Sequence, residues 1–185
     1  MRNSGFASGF RLCTVPVLLG LFVVAQVNCL REEPLDWDQV TSLIDSEFPG
    51  VPTLTTAELQ SALSADRPVL LLDVRAPEEF AISHLQGAQR ADTVETTVAL
   101  LATAEPGALV VAYCSVGYRS AALVQELHDR GIDAVNLEGS IFQWANEDRP
   151  VYRGADPVKE VHPFDDSWGT LLDRNLWAYD LTPAR

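Results

Sequence analysis

Residues 108–120 read Ala-Leu-Val-Val-Ala-Tyr-Cys-Ser-Val-Gly-Tyr-Arg-Ser, an apolar run that breaks into a glycine-containing loop at Cys114. The uninterrupted run from Ala108 to Tyr113 suits a strand buried on both faces of a sheet, since a half-exposed strand would alternate. After the loop, Ala122, Leu123 and Leu127 face inward at helical spacing, and Gly131 ends a helix running from about Arg119 to Arg130. The stretch is a strand, a loop and a helix, with a cysteine where the strand stops. A helix start offers unpaired N–H groups and a partial positive charge, which favour a sulfur anion, and cysteine reactivity depends on the thiolate. Gly117 lets the loop bend so that successive N–H groups point into one cup, and Arg119 adds a fixed cation with several donors. Cys114 and Arg119 are therefore the candidate catalytic residues. Ser115, Val116, Gly117, Tyr118 and Ser120 are the candidate substrate contacts.

The flanking sequence repeats the pattern. Upstream, Asp36-x-x-Gln39 is a capping box with Leu35 as its staple, opening a helix whose apolar face is Trp37, Val40, Leu43, Ile44 and Phe48. Leu54 begins a short strand, and Thr55 or Thr56 caps a helix to about Ser64 with Leu59 and Leu63 inward. Val69–Val74 is a second buried strand, and Pro77 suits the first turn of a short helix. Gly87 and Ala88 turn toward another strand edge, and Asp92-x-x-Glu95 reads as a second capping signature. Ala134–Leu137 is a further strand and Ile141–Asn146 a last short helix with Trp144 packed inward. Strands alternating with helices imply right-handed crossovers and an α/β fold, a central mostly parallel sheet with helices on both faces. Ligands of such sheets sit beyond the carboxyl ends of the strands, where Cys114 lies.

Several segments, in order, resemble the rhodanese-like sulfurtransferases. The Cys114–Ser120 loop is similar to that family's active-site loop. Asp73-Val74-Arg75 resembles its DVR, and Glu79-Phe80 with His84-Leu85-Gln86-Gly87-Ala88 resembles its EF…HIPGA stretch, Gln86 replacing proline. Leu137-Glu138-Gly139-Ser140 and Trp144 resemble its LEGG…W close, Ser140 replacing glycine. The resemblance implies a rhodanese-like domain over 51–153, between a helical lead-in at 31–50 and an extension at 154–185. It also implies that Cys114 takes sulfane sulfur from a thiosulfate, polysulfide or persulfide donor, holds it as a persulfide and passes it to a thiol or cyanide. Partners would then be a small sulfur compound or a protein persulfide or thiol. Asp73, Arg75 and His84 are expected to brace the loops as structural support. Thiosulfate-using members carry more basic residues in the loop, whereas Ser115, Val116 and Tyr118 are neutral here, so polysulfides and persulfides are equally expected donors.

The chain has 185 residues, enough for one domain and short extensions, with 47% hydrophobic and 21% charged residues. Its formal net charge of −13 argues against nucleic acid or an anionic membrane surface as a partner, both of which reward clustered Lys and Arg. Residues 1–25 read as a signal peptide. Arg2 and Arg11 precede the apolar run Thr14–Ala25, too short for a comfortable membrane span, with a cleavage site after Ala25. The expectation is export to a periplasmic or extracellular space without membrane insertion after cleavage. The alternatives are an anchor left by an uncleaved signal or by lipidation at Cys29. Cys13, Cys29 and Cys114 are too widely spaced for a CxxC pair. His84, His128 and His162 lack ligand spacing, so no metal and no cofactor is indicated.

Two other functions compete. Cysteine phosphatases and arsenate reductases of related fold use Cys-x5-Arg, whereas Cys114 and Arg119 form Cys-x4-Arg, a shorter cup better suited to sulfur than to phosphate. A non-catalytic binding or redox-sensing module is the second, because the same loop would expose a thiolate to oxidation. The extension holds Phe164, Trp168, Leu171, Leu172, Leu176, Trp177 and Tyr179, too apolar for a disordered tail. A partly helical arm packed on the domain is expected, in which His162 is a packed or exposed histidine; the alternative is that His162-Pro163-Phe164 reaches the cup.

Overall fold

The computed structural model describes residues 35–65 and 67–181. The signal segment 1–25, Cys13, Cys29 and residues 31–34 of the lead-in lie outside the described residues. The elements run α1 (Trp37–Glu47), β1 (Thr53–Leu54), α2 (Thr56–Ser64), β2 (Val69–Asp73), α3 (Pro77–Ile82), β3 (Gln89–Arg90), α4 (Val94–Leu101), β4 (Leu109–Tyr113), α5 (Tyr118–Asp129), β5 (Val135–Leu137) and α6 (Ser140–Asn146). An antiparallel ribbon, β6 (Val151–Arg153) with β7 (Asp156–Val158), follows, and then two 3-10 turns at Trp168–Leu171 and Arg174–Leu176.

The sheet order is β1-β5-β4-β2-β3, and every pair in it is parallel. At its centre β2 and β4 run in step, Val69 opposite Leu109 and Asp73 opposite Tyr113, so both strands end at one edge. Leu71, Val111 and Tyr113 face one side and pack with Val40 and Ile44 of α1, Leu59 of α2 and Ile141 and Phe142 of α6. Leu70, Leu72, Val110 and Ala112 face the other side and pack with Val94 of α4 and Val124 and Leu127 of α5. Burial on both faces explains why the strands read as continuous apolar runs. Each fully buried Leu or Val side chain contributes about 1.5–3 kcal/mol of transfer free energy.

The local signals worked where the capping chemistry is unambiguous. Gln39 N–H donates to Asp36 Oδ1 at 2.8 Å and the Asp36 N–H donates back to Gln39 Oε1 at 3.2 Å, closing the expected box on α1. On α4 the cap is Thr93, not Asp92: the Thr96 N–H donates to Thr93 Oγ1 at 3.1 Å, while Asp92 pairs with Arg90 and Glu95 with Arg130. Asp92 stands one residue too early for its oxygen to reach the first free N–H groups. Leu43 is 39% exposed and leaves the inward stripe of α1, whose Val40 and Ile44 are buried and whose Trp37 and Phe48 pack partly buried against the same core. On α5, which begins one residue earlier than expected, Ala121 and Val124 are buried and Ala122 is only half-buried.

The C-terminal arm contains two 3-10 turns and no α-helix among its described residues. Val161, Leu171, Leu172 and Leu176 bury themselves in the same core as α1 and α6. Backbone bonds Val161 N–H to Leu176 O (2.7 Å) and Ala178 N–H to Val161 O (3.1 Å) tie its two ends together. Gly169 permits the close return: a Cβ there would stand 2.6 Å from the Trp177 ring. Among the described residues no helix is long and apolar enough to cross a membrane.

Candidate active site

Between the end of β4 and the start of α5 the chain turns through Cys114–Gly117. Gly117 has φ +109, and a Cβ there would meet Ile44 Cδ1 at 3.3 Å and Asn136 Nδ2 at 3.4 Å. A side chain would be strained in backbone and crowded in space. The turn aims the Gly117 N–H at Cys114 Sγ, 3.1 Å away. The outer side of the loop is held by the start of α6: the Ile141 and Phe142 N–H groups donate to the Cys114 and Ser115 carbonyls at 3.2 and 3.1 Å. The Cys114 N–H donates to Ser140 Oγ at 3.1 Å, and the Ser140 hydroxyl donates to the Leu137 carbonyl at 3.0 Å. Ser140, the departure from glycine noted in the sequence, holds φ +48 and thus braces the cysteine from below.

Burial pushes the Cys114 thiol up, but the Arg119 charge, the Ser120 hydroxyl and N–H and the Gly117 N–H together outweigh it, leaving the thiol below its ordinary value. Arg119 is not an open anion receptor. Its Nη1 donates to Glu79 Oε2 and its Nη2 to Glu79 Oε1, both at 2.8 Å, and Nη2 also reaches Ser115 Oγ at 3.0 Å. Glu79 is 2% exposed and also accepts from Ser115 Oγ (3.1 Å) and from the Ala76 N–H (2.9 Å). Burial pushes its carboxyl up, and the Arg119 bonds and charge, with the Ala76 N–H, bring it below the usual carboxylate value. The arginine thus shares its charge between a buried carboxylate and the sulfur.

Cys114 is only 1% exposed. It is not embedded in solid packing, however, because it joins Ser115, Val116, Tyr118, Arg119, Phe164 and Trp168 around a cavity of about 170 Å³. Phe164 comes from the arm and lays its ring over the Arg119 guanidinium, 4.8 Å from the ring centre. His162 does not line this cavity. It packs edge-on against Tyr179 (5.3 Å), and its Nδ1 accepts from the Phe164 N–H at 3.0 Å. Of the His162-Pro163-Phe164 segment, then, the phenylalanine reaches the cup.

The remaining residues singled out in the sequence lie behind the cup. Arg75 and Asp73 form a fully buried pair (2.7 Å), and Arg75 Nη2 also donates to the Ser83 carbonyl at 2.6 Å. His84 stacks on Phe80, 4.3 Å between ring centres, and its Nδ1 donates to the Leu85 carbonyl at 3.0 Å. Its backbone exchanges two 2.8 Å bonds with Tyr152, tying the loop after α3 to β6. Ser120, by contrast, lies at the first turn of α5 beside the sulfur, where its hydroxyl and N–H favour the thiolate and the hydroxyl stands 3.2 Å from the Gly117 carbonyl. Beyond Phe164, two residues not singled out as site groups contribute directly, Glu79 and Trp168. An acid in a short helix or an aromatic in a tail carries no signal of this placement, which comes only from long-range packing.

Comparison with known proteins bears on the family and the fold. The sequence model described as Rhodanese-like domain matches residues 55–147. The chain is 33% identical over 135 residues to MoeZ of Mycobacterium tuberculosis, named as a probable adenylyltransferase/sulfurtransferase; this covers 65% of the chain and 34% of the relative, so the chain spans about a third of that protein's length. It is 29% identical over 103 residues to YtwF of Bacillus subtilis, whose name places it with the sulfurtransferases, covering 54% of the chain and 96% of the relative. The crystal structure of thiosulfate sulfurtransferase from Pseudomonas aeruginosa superposes with a TM-score of 0.54 at 24% identity, covering 63% of the chain and 23% of that protein, a likeness of fold. With the domain match taking in half of its length, the chain belongs to the rhodanese-like domain family.

Proposed function

We propose that the protein is a sulfurtransferase that carries sulfane sulfur as a persulfide on Cys114. The observation that supports this most is a single cysteine at the floor of a small cavity, with the Gly117 N–H 3.1 Å from its sulfur and a nearby guanidinium that favours the thiolate. The thiolate attacks the terminal sulfur of a donor. A bond forms from Cys114 Sγ to that sulfur, the donor's own bond to it breaks, and the electron pair leaves on the donor's remaining atom. The persulfide keeps a negative charge near the Gly117 N–H and Arg119 until a thiol or cyanide attacks its outer sulfur and frees Cys114. No cofactor enters this balance. The partners are a small sulfur compound or a protein persulfide and thiol. The N-terminal run Arg2–Ala25 supports export of the chain, which N-terminal sequencing of the mature protein tests.

The test is intact-mass analysis after exposure to thiosulfate and then to polysulfide. A gain of about 32 Da, one sulfur atom, in the wild type and not in Cys114→Ser is the expected result. Failure of every sulfane donor to add that mass overturns the carrier role and leaves a redox-sensing or binding module.

A further inference from the structure

We infer that the C-terminal arm makes the cup selective for a singly charged organic sulfane donor with an apolar body about the size of a benzene ring, and against the thiosulfate dianion, with Phe164 and Trp168 as the specificity residues. The inference rests on the sulfurtransferase reading and names the donor class for that same cavity.

The walls argue for an apolar body. Val116, Tyr118, Phe164 and Trp168 supply most of the lining around Cys114, and the volume is about 170 Å³. A volume on the order of 150 Å³ accommodates a benzene ring. The charges argue against a dianion. Among the described residues Arg119 is the one cation on the wall, its guanidinium is chelated by Glu79 and bonded to Ser115, and one of its faces is covered by Phe164. Once Cys114 is ionised, the sulfur, Glu79 and Arg119 carry one net negative charge. A donor with two more negative charges meets repulsion beside this net negative charge, whereas a monoanion with an apolar body meets less repulsion and gains contact with the apolar walls.

The turn that presents Phe164 points the same way. Phe164 has φ +68, and the Asp165 N–H donates to the Pro163 carbonyl at 3.0 Å across it. Such a three-residue turn with positive φ is rare and strained, and a bulky side chain is an outlier there. A residue chosen only to make the turn would be glycine or asparagine. Nor does the ring serve the core, because it is 43% exposed and rests on Arg119. Asp165 Oδ1 then accepts from the Ser167 and Trp168 N–H groups, both at 2.8 Å, which fixes the second aromatic beside the first. The arm is anchored to the core by Val161, Leu171 and Leu176, so the roof is positioned by packing that does not involve the donor.

The chemistry balances without an oxidant. Cys114 Sγ bonds to the terminal sulfur, the bond from that sulfur to the organic sulfur breaks, and the electron pair departs on the organic group as a thiolate or a sulfinate.

Benzenethiosulfonate and thiosulfate test this as a matched pair, one carrying a phenyl group where the other carries an oxyanion. Second-order rate constants for sulfur loading of Cys114 are read by mass in the wild type, Phe164→Gly and Trp168→Ala, and comparing the ratio of the two donors across variants cancels their intrinsic reactivities. Phe164→Gly removes the ring and suits the backbone, and matching thermal melts establish that it folds. The expected result is a benzenethiosulfonate-to-thiosulfate ratio that falls about fivefold or more in each variant, with the loss on the aromatic donor. A ratio unchanged in both variants overturns the inference. A second readout needs no sulfur transfer: calorimetric binding of benzenesulfinate, the product, to Cys114→Ser with and without Phe164→Gly. If neither donor loads Cys114, the sulfurtransferase reading fails, and the roof stands only if removing Phe164 weakens benzenesulfinate binding about fivefold. Binding that is absent, or indifferent to Phe164, overturns it.

Discussion

Two acid–arginine pairs built from the same chemistry lie at the same end of the sheet, and they serve different ends. Asp73 and Arg75 meet at 2.7 Å with both side chains wholly buried; Glu79 and Arg119 meet at 2.8 Å with Glu79 sealed and Arg119 about one-third exposed. The first pair ties the end of β2 to the Ser83 carbonyl and faces the Tyr113 ring, away from solvent. Arg75 even keeps its Nη1 buried with no hydrogen-bond partner among the described residues. The second pair opens on the cavity and shares its cation with the Cys114 thiol. Exposure of the arginine, rather than the identity of the pair, separates a brace from a group that acts on the sulfur.

The largest way to break this contrast is Asp73→Ala. It strands a guanidinium in a dry interior, and losing one partner of a buried pair costs about 3–5 kcal/mol. A loss of that size in the unfolding free energy extrapolated from urea titration is expected. A loss below about 1 kcal/mol would mean that Arg75 is hydrated and the brace is not sealed. Arg119→Met comes next. It leaves buried Glu79 with only Ser115 and the Ala76 N–H, a loss of about 1–3 kcal/mol, and it removes the cation beside the thiol. The pH profile of Cys114 alkylation should move to higher pH, because burial would act with less opposition.

Glu79→Gln is milder, about 1 kcal/mol, since the amide keeps the shape and one acceptor while Arg119 reaches solvent. Its sign is opposite at the thiol: freeing Arg119 of a neighbouring anion should move the alkylation profile to lower pH. Glu79 also has a pH signature of its own. Its folded value lies below the ordinary carboxylate value, so the unfolded chain binds the proton first. The stability it contributes is present above about pH 4.5 and is lost as pH falls through the folded value. Wild type minus Glu79→Gln stability, followed by urea titration from pH 6 downward, should shrink with acidification.

The contrast also marks where sequence reading stopped. The sheet was legible because its strands are buried on both faces, so Val69–Val74 and Ala108–Tyr113 announce themselves as apolar runs. Cys114, Gly117 and Arg119 were legible because strand, loop and helix start are contiguous. Glu79 was not, because its partner lies forty residues on and nothing local marks an acid that will be buried. The arm was expected to pack, from its aromatic content, and its reach to the cup stood only as the alternative, with His162 rather than Phe164 as the group of interest. Presenting Phe164 depends on a positive-φ turn at a residue type that rarely makes one. The β6–β7 ribbon is not legible because its three-residue strands, Val-Tyr-Arg and Asp-Pro-Val, are too short for a period to show.

The smallest effect tests the thiol itself. Among the interactions that lower the folded Cys114 value, Arg119 leads, and burial is the opposing and largest single influence. Because the folded value lies below the unfolded one, the unfolded chain holds a proton that the folded chain has released throughout the window between them. Stability therefore rises with pH across that window, is fully present above the unfolded cysteine value near 8.5, and is absent below the folded value. Wild type minus Cys114→Ser stability, measured from pH 6 to pH 9, should increase with pH by less than Asp73→Ala costs, since burial opposes the gain. In the Arg119→Met background the increase should vanish or reverse sign. In a background altered at Arg75, provided it still folds, the slope should survive. A slope equally lost in both backgrounds would mean that the two arginines act on the sulfur alike, and the distinction between the sealed pair and the open one would fall.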